Sequence, residues 1–311
     1  MFFSGPMAYT DDMTHFLLDS GDITEDLDII ALAKAHDSEI WGATTNPSLI
    51  AKILKGQKIA SREEAFSVLQ KHIVENILET VPGAVSAEVY ADEKTTAEEM
   101  VSQGMEIASW HQRIAVKLPT TLEGLKARTI LRKHGVCINN TLVFSQEQIY
   151  AITLHEKFML EEFGAPHTSW PCFISPFIGR LYDHGQDGMS LLYHANTLLS
   201  TYFADTPVWL LASSIRNTYH VQACLQAGMP LLTAPAKVYK EWWESPLEDH
   251  PNPNPDLPQI PAWEPNEKIK NIKNVSELIS AIESKEFSID HPLTTEGVQK
   301  FVASWQGLFS E

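Results

Sequence analysis

Polar side chains able to do chemistry interrupt the short apolar runs of this sequence. Asp19 closes Phe16-Leu17-Leu18-Asp19, Asn46 follows Thr44-Thr45 at the end of a run that begins at Ile40, and Glu88 interrupts Ser86-Ala87-Glu88-Val89. Lys117 stands in Ala115-Val116-Lys117-Leu118-Pro119, and Asn139 and Thr141 share the run from Val136 to Phe144. Ser175 precedes Pro176-Phe177, with Arg180 just beyond, and Ser214 and Arg216 follow the run from Val208. Lys117 carries the most weight, because lysine is almost never fully buried without a partner. Desolvation inside a protein favours the neutral amine, which can attack a carbonyl and form a Schiff base. Glu88 and Asp19 supply carboxylates that could move protons to and from the carbinolamine. A lysine with two carboxylates is the equipment of aldolase chemistry. Each residue also has a plainer reading: a strand-end Asp or Asn caps the next helix, a Ser or Thr fills core, and a lysine points outward between helices.

These residues lie on runs that read as strands at Phe16–Asp19, Ile40–Thr45, Val85–Ala91, Ile114–Leu118, Val136–Phe144, Cys172–Phe177, Val208–Ser214 and Leu231–Thr233. Amphipathic stretches alternate with them: Ile23–Ala35 behind Asp22 as a cap, Arg62–Thr80, Ala97–Trp110, Leu122–Lys133, Gln146–Phe163, Met189–Phe203 and Tyr219–Gln226. The strands are too continuously apolar for a half-exposed antiparallel sheet. The pattern predicts an α/β fold, a (β/α)8 TIM-type barrel of eight parallel strands, in which polar residues at the C-terminal strand ends face the active site. A doubly wound open sheet is the runner-up, without a GxGxxG fingerprint after the first strand. Residues 1–311 are expected to form one barrel domain. A Pro-rich excursion at about 246–265 should pack on its outside, and terminal helices should follow at about 275–305.

The chain has 311 residues, 44% hydrophobic and 20% charged, as in an ordinary globular protein. With 23 Lys and Arg against 40 Asp and Glu, its net charge of −17 repels nucleic acids and acidic membranes, although a few arginines in one pocket can still hold a small anion. Cys137, Cys172 and Cys224 have neither zinc-site nor disulfide-framework spacing. The N-terminus lacks signal-peptide character, so a cytoplasmic protein is expected. The twelve histidines show no paired metal-binding spacing, so no metal is expected; His155-Glu156 reads as a solvated helix face, and Trp242-Trp243 as an anchor for the Pro-rich loop.

In order along the chain, Leu18-Asp19-Ser20-Gly21-Asp22-Ile23, Thr44-Thr45-Asn46-Pro47-Ser48-Leu49-Ile50, Ser86-Ala87-Glu88-Val89, Val116-Lys117-Leu118-Pro119-Thr120, Asn139-Asn140-Thr141-Leu142-Val143-Phe144-Ser145, Ile174-Ser175-Pro176-Phe177-Ile178-Gly179-Arg180 and Ser213-Ser214-Ile215-Arg216-Asn217 resemble the transaldolase family. The resemblance spans about residues 16–243, and His291-Pro292-Leu293-Thr294 with Gly297 and Trp305 resembles the family's terminal helix. It implies a Schiff-base lysine at Lys117, a proton-transfer acid/base at Asp19, a water-activating Glu88 and a Thr141 that helps hold that water. It further implies substrate contacts from Asn46, Asn139 and Ser175, a phosphate site at Arg180, Ser214 and Arg216, and no cofactor. Sugar phosphates are the expected substrates, with a homo-oligomer left open and neither nucleic acid nor membrane as a partner.

The rival within the same fold is a fructose-6-phosphate aldolase, which cleaves without transferring the three-carbon unit. That branch resembles Gln at the position of Glu88 and Tyr at that of Phe177. A Phe there has no donor for a hydrolytic water, so transfer to an acceptor aldehyde is expected. A non-catalytic barrel that binds a partner through its Pro-rich segment is the remaining alternative. Asn140 departs from the family's usual apolar residue, and alternation turns it away from Asn139 and Thr141 toward the helices.

Overall fold

A computed structural model of the chain describes residues 14–19, 23–54, 61–164, 168, 170–245 and 250–308. Eight parallel strands follow one another around a closed barrel: β1 (His15–Asp19), β2 (Ile40–Thr44), β3 (Val85–Glu88), β4 (Ile114–Pro119), β5 (Ile138–Val143), β6 (Cys172–Pro176), β7 (Val208–Ala212) and β8 (Leu231–Ala234). β8 pairs back onto β1, so the sheet has no free edge. The expected (β/α)8 architecture is present, and the open sheet is excluded.

Around the barrel run α1 (Ile23–Ala35), α2 (Pro47–Leu54), α3 (Arg62–His72), α4 (Leu78–Thr80), α5 (Ala97–Ser109), α6 (Leu122–Lys133) and α7 (Gln146–Phe163). α8 (Ile178–Asp183), α9 (Gly188–Tyr202), α10 (Thr218–Gln226), α11 (Ala236–Glu244), α12 (Glu267–Lys270), α13 (Val275–Glu283) and α14 (Pro292–Leu308) complete the set. Many starts are set by side-chain caps: Thr96 forms a capping box with Glu99, and Thr121, Ser145 and Asn217 accept backbone N–H groups at the starts of α6, α7 and α10. Asp22, the expected cap of α1, lies outside the described residues. The helix predicted unbroken from Arg62 to Thr80 contains a π-helical turn, Ile73–Ile77, between α3 and α4. Four helices, α2, α8, α11 and α12, were not expected from the sequence; α2, α8 and α12 have eight residues or fewer, too brief to show a clear period.

The barrel interior is built in two tiers. Leu17, Ala84, Ala115, Cys137, Phe173, Leu211 and Leu231 form an apolar cluster inside the barrel, and Trp41 closes it with Trp170 and Trp209. Two residues further along each strand, on the same face, stand Asp19, Ser86, Lys117, Asn139, Ser175, Ser213 and Thr233. Dry packing on the N-terminal side thus holds a polar tier about 6–7 Å away along the strands. The outward strand faces belong to the larger core under the helices.

Behind β5 the structure corrects one sequence reading. His155 and Glu156 are fully buried, not solvated. Glu156 bridges two buried arginines of α6: Arg128 Nη2 donates to Oε2 at 2.7 Å, while Arg132 donates to both carboxylate oxygens. Arg128 Nε also donates to Asn140 Oδ1 at 3.0 Å, so Asn140 does face the helices as alternation predicts. An arginine can only donate, so His155 accepts from Arg128 through Nδ1 and turns Nε2–H toward Thr129 Oγ1. Burial, then the two arginines, hold the imidazole well below its ordinary pKa and thus neutral. The pattern was invisible in sequence because the arginines lie on another helix.

The Pro-rich excursion packs on the barrel's exterior, as expected, for the part described. Asp187 N donates to Pro258 O, Ile260 N to Ser190 Oγ, and Gln146 Nε2 to Pro261 O. Trp242 meets His250 where this segment resumes, with ring centroids 4.8 Å apart, consistent with an anchor. Trp243 instead packs on Phe16 and Tyr239 beneath β1.

Removing the charge of Glu156 leaves two buried guanidinium groups without a counter-ion. Glu156→Gln should lower unfolding stability by about 3 to 5 kcal/mol at neutral pH, read from urea denaturation. The arginines hold Glu156 below the ordinary carboxylate range, so its contribution is present above that range and is lost as pH falls through the depressed value. The gap between variant and wild type should therefore close in acid; a constant gap would show that Glu156 acts through shape alone.

Candidate active site

At the C-terminal mouth of the barrel lies a cavity of about 170 Å³. Seven of the eleven sequence-predicted residues line it: Asp19, Asn46, Lys117, Phe177, Arg180, Ser214 and Arg216. The other four, Glu88, Asn139, Thr141 and Ser175, are buried on β3, β5 and β6.

Register puts Glu88, Lys117 and Asn139 on one rung across β3, β4 and β5. Lys117 Nζ donates to Thr45 O at 3.0 Å and lies 3.6 Å from Glu88 Oε2, an ion contact beyond hydrogen-bond range. The two side chains are only 4% and 5% exposed. Burial pushes the Glu88 carboxyl up to about 7; Lys117 opposes this and Asp19 adds to it. Glu88 is therefore poised to take or give a proton near neutrality. Glu88 Oε2 and Thr141 Oγ1 are buried atoms without a hydrogen-bond partner among the described residues. Both have acceptor capacity, and Thr141 also has a donor, for a small polar molecule entering beside the lysine.

Asn139 joins two strands: its Nδ2 donates to Ser86 Oγ at 3.0 Å, and its Oδ1 accepts from Ser175 Oγ at 2.7 Å. On the opposite side, Asp19 Oδ1 accepts from Thr44 Oγ1 at 3.1 Å and from Asn46 Nδ2 at 3.5 Å. Thr44 in turn shares a 2.7 Å hydrogen bond with Thr233 of β8. Asn46 has a second duty, because its Oδ1 accepts from Leu49 N at the start of α2, where Pro47 occupies the first helical position. One end of the Asn46 amide thus caps a helix while the other faces Asp19 in the cavity wall.

The arginine-bearing end of the cavity is built from helix and loop residues. Phe177 lies just past β6 at the N-cap position of α8, and its ring touches Phe144 edge-on while the Arg180 guanidinium lies 5.6 Å from its centroid. Arg180 is buried, its Nη1 has no hydrogen-bond partner among the described residues, and burial pulls its pKa below the ordinary value. Arg216 is half-exposed and already held by Asp183, with Nη2 at 2.9 Å from Oδ2. His220 Nδ1 accepts the Arg216 backbone N–H at 3.2 Å, and burial draws that imidazole down to about 4, so it stays neutral. Ser214 has φ of 63°, a left-handed conformation costly for a residue with a Cβ. A Cβ on Gly179 would lie 1.7 Å from Ser214 O, so only glycine lets the β6 and β7 ends approach this closely.

Sequence reasoning missed Thr44 and Thr233 as supports of Asp19, and Ser86 as the partner of Asn139. Thr44 and Ser86 lay inside the matched segments, and the signal that could have found them is their even spacing from Asn46 and Glu88. Lys300 and Phe301 of α14 also line the cavity, and they were missed because a terminal helix has no fixed place in a barrel's strand pattern.

A carboxyl raised from 4.5 to about 7 should be visible directly. Infrared difference spectra should show a protonated carboxyl band that disappears as pH rises through about 7 and is missing in Glu88→Gln. Because the folded value exceeds the unfolded one, the contribution of Glu88 to stability is present below pH 4.5 and lost as pH rises through 7. The stability of Glu88→Gln relative to wild type should accordingly increase across that window; a flat difference would place the Glu88 titration elsewhere.

Residues 16–311 match the family model described as Transaldolase/Fructose-6-phosphate aldolase. The chain is 38% identical over 227 residues to a probable transaldolase of Thermus thermophilus, an alignment covering 72% of this chain and 92% of that protein. It is 34% identical over 235 residues to a probable transaldolase of Brachyspira hyodysenteriae, covering 75% and 92%. A probable transaldolase of Agathobacter rectalis is 36% identical over 219 residues, covering 70% and 87%. With a closed eight-stranded barrel, a buried lysine beside a carboxyl and nearly the full length matched, the chain belongs to the transaldolase/fructose-6-phosphate aldolase family.

Proposed function

We propose that this protein is a transaldolase that moves a dihydroxyacetone unit from a ketose phosphate, sedoheptulose 7-phosphate or fructose 6-phosphate, to an aldose phosphate in the pentose phosphate pathway. The observation that carries the reading is the buried Lys117 amine 3.6 Å from a carboxyl poised near neutrality, in the wall of a cavity with two arginines at its mouth. In this reading the Lys117 amine attacks the ketose carbonyl, and Glu88, with Thr141 beside it, handles the proton and water of carbinolamine breakdown. Asp19, oriented by Thr44 and Asn46, takes the proton of the hydroxyl on the carbon beyond the cleaved bond. The electron pair of that bond passes to the iminium, leaving an enamine on Lys117 while the aldose phosphate departs. Asn46, Asn139 and Ser175 hold substrate hydroxyls, and Arg180, Ser214 and Arg216 hold the phosphate, forked donors suiting that anion.

The family covers a second outcome, release of free dihydroxyacetone. Phe177 favours transfer, because its ring lines the cavity with Lys117 and offers no donor to orient a water or protonate the enamine. A partner-binding barrel without chemistry is disfavoured, since a lysine and a carboxyl buried together cost stability that a scaffold has no reason to bear. No described helix is long and apolar enough to cross a membrane. The cytoplasm, where sugar phosphates are available, is the proposed site of action, with residues 1–311 acting as one barrel unit.

Borohydride added with fructose 6-phosphate should place a dihydroxyacetone-derived mass on the peptide containing Lys117, and Lys117→Met should stay folded and unlabelled. Label on another lysine would sink the mechanism. With erythrose 4-phosphate as acceptor, wild type should transfer and release little dihydroxyacetone, while Phe177→Tyr should raise release and lower transfer. Release by wild type as fast as transfer would favour the aldolase reading. Arg216→Ala should raise KM for phosphorylated donors by at least about tenfold, as expected for one charge-assisted pair; an unchanged KM would remove Arg216 from the phosphate site.

A further inference from the structure

The terminal helix contributes to the site what no strand does. A Cβ on Gly297 would lie 2.5 Å from Leu142 Cδ2 and 2.9 Å from Arg180 Nη1, so glycine lets the backbone of α14 rest directly against the buried guanidinium. Residues three and four positions on share that helix face, and these are Lys300 and Phe301, both lining the cavity. The helix is held there by Thr294, whose Oγ1 donates to Leu142 O at 2.9 Å and accepts from Gln148 Nε2 at 2.9 Å.

The charge balance of the cavity is the second observation. Its lining carries four cationic side chains, Lys117, Arg180, Arg216 and Lys300, against the single carboxylate of Asp19, in a chain of net charge −17. Lys117 has Thr45 O and Glu88, and Arg216 has Asp183. The Lys300 ammonium group has no hydrogen bond or ion pair among the described residues. Gathering like charges at one mouth is unfavourable unless an anion offsets the repulsion.

We propose that Lys300 is a third ligand of the substrate phosphate, brought over the barrel by α14, and that it makes the enzyme prefer phosphorylated over unphosphorylated aldehydes. The inference rests on the transaldolase reading for its substrate class. Arg180 and Arg216 approach from the ends of β6 and β7, and Lys300 approaches from the helix across them, so the anion meets cations on more than one side. A flexible four-carbon stem with a compact charge suits a phosphate that differs in reach between a four-carbon and a seven-carbon sugar.

Lys300→Met keeps the stem and removes the charge, and Lys300→Arg keeps the charge. With glyceraldehyde 3-phosphate as acceptor, Lys300→Met should raise KM by about three- to tenfold, the range of one partly solvated charge-assisted contact. With glyceraldehyde it should leave KM unchanged, and Lys300→Arg should restore most of the loss. Calorimetric titration with inorganic phosphate should show a matching weakening in Lys300→Met, a readout independent of turnover. Equal loss with both aldehydes would make Lys300 a packing residue and overturn the proposal, as would unchanged phosphate affinity. A wild type that binds phosphate through Lys300 but transfers nothing would instead overturn the transaldolase reading and leave the ligand assignment standing.

Discussion

Everything at the mouth of this barrel answers to one constraint: an amine and a carboxyl must be kept buried 3.6 Å apart without either being fully satisfied. An ammonium has three donors, and Lys117 finds one hydrogen-bond acceptor, Thr45 O, within range. Glu88 suffers more from desolvation than it gains from the lysine, which is why its pKa rises to about 7 despite a cation beside it. A fully satisfied pair would be more stable and less useful, because its proton would be fixed at neutral pH. Partial satisfaction keeps the proton mobile, and the cost falls on the fold.

The fold absorbs that cost by stiffening what surrounds the pair. Seven apolar residues form a floor inside the barrel, and each polar residue of the upper tier sits two positions beyond one of them, so tight packing below fixes orientation above. Strand β5 is held from two sides. Asn139 and Thr141 face inward, and between them Asn140 is tied outward to Arg128, itself locked to Glu156 and His155. Leu142 then takes a left-handed φ of 58° at the irregular pairing with β6, and Thr294 of α14 bonds its carbonyl. Such a conformation costs a β-strand residue energy and persists where surrounding contacts over-determine it. The terminal helix and the buried arginine network thus clamp the same four residues from two sides.

These two levels differed in how legible they were. A polar residue that interrupts or closes a short apolar run is a local signal, and it exposed Asp19, Glu88, Lys117, Asn139 and Ser175 together with the strands that carry them. The ordered matched segments then supplied roles for those residues. The network behind β5 has no local signal, because Arg128, Asn140 and Glu156 lie on three different elements, and a charged residue on a helix reads as solvated until its partners are placed. Lys300 and Phe301 were hidden for a related reason: a helix that follows the last strand can rest anywhere on the barrel, and contacts distant in sequence, at Thr294 and Gly297 among others, determine which of its faces looks into the site. Asn46 shows the opposite case, where the capping expected of a strand-end Asn and a contact with Asp19 in the cavity are made by different atoms of one side chain.

The two ends of the cavity are built on different physics, and this follows from what each must hold. In the proposed reading the lysine end must place an amine accurately against a carbonyl, and its residues come from strands locked by register. On the same reading the arginine end would have to accept a phosphate at a range of distances from that carbonyl, set by the length of the sugar. Its groups come instead from α8, the loop after β7 and α14, and one of them, Arg216, is half-exposed and already paired with Asp183. An arginine resting on a surface carboxylate is oriented yet exchangeable, since exposed ion pairs contribute little and can be traded for a stronger anion. Register-locked strands and the more adjustable helix and loop residues thus divide one cavity between them, and Phe177, in its lining, packs edge-on against Phe144 without a polar atom for water to use.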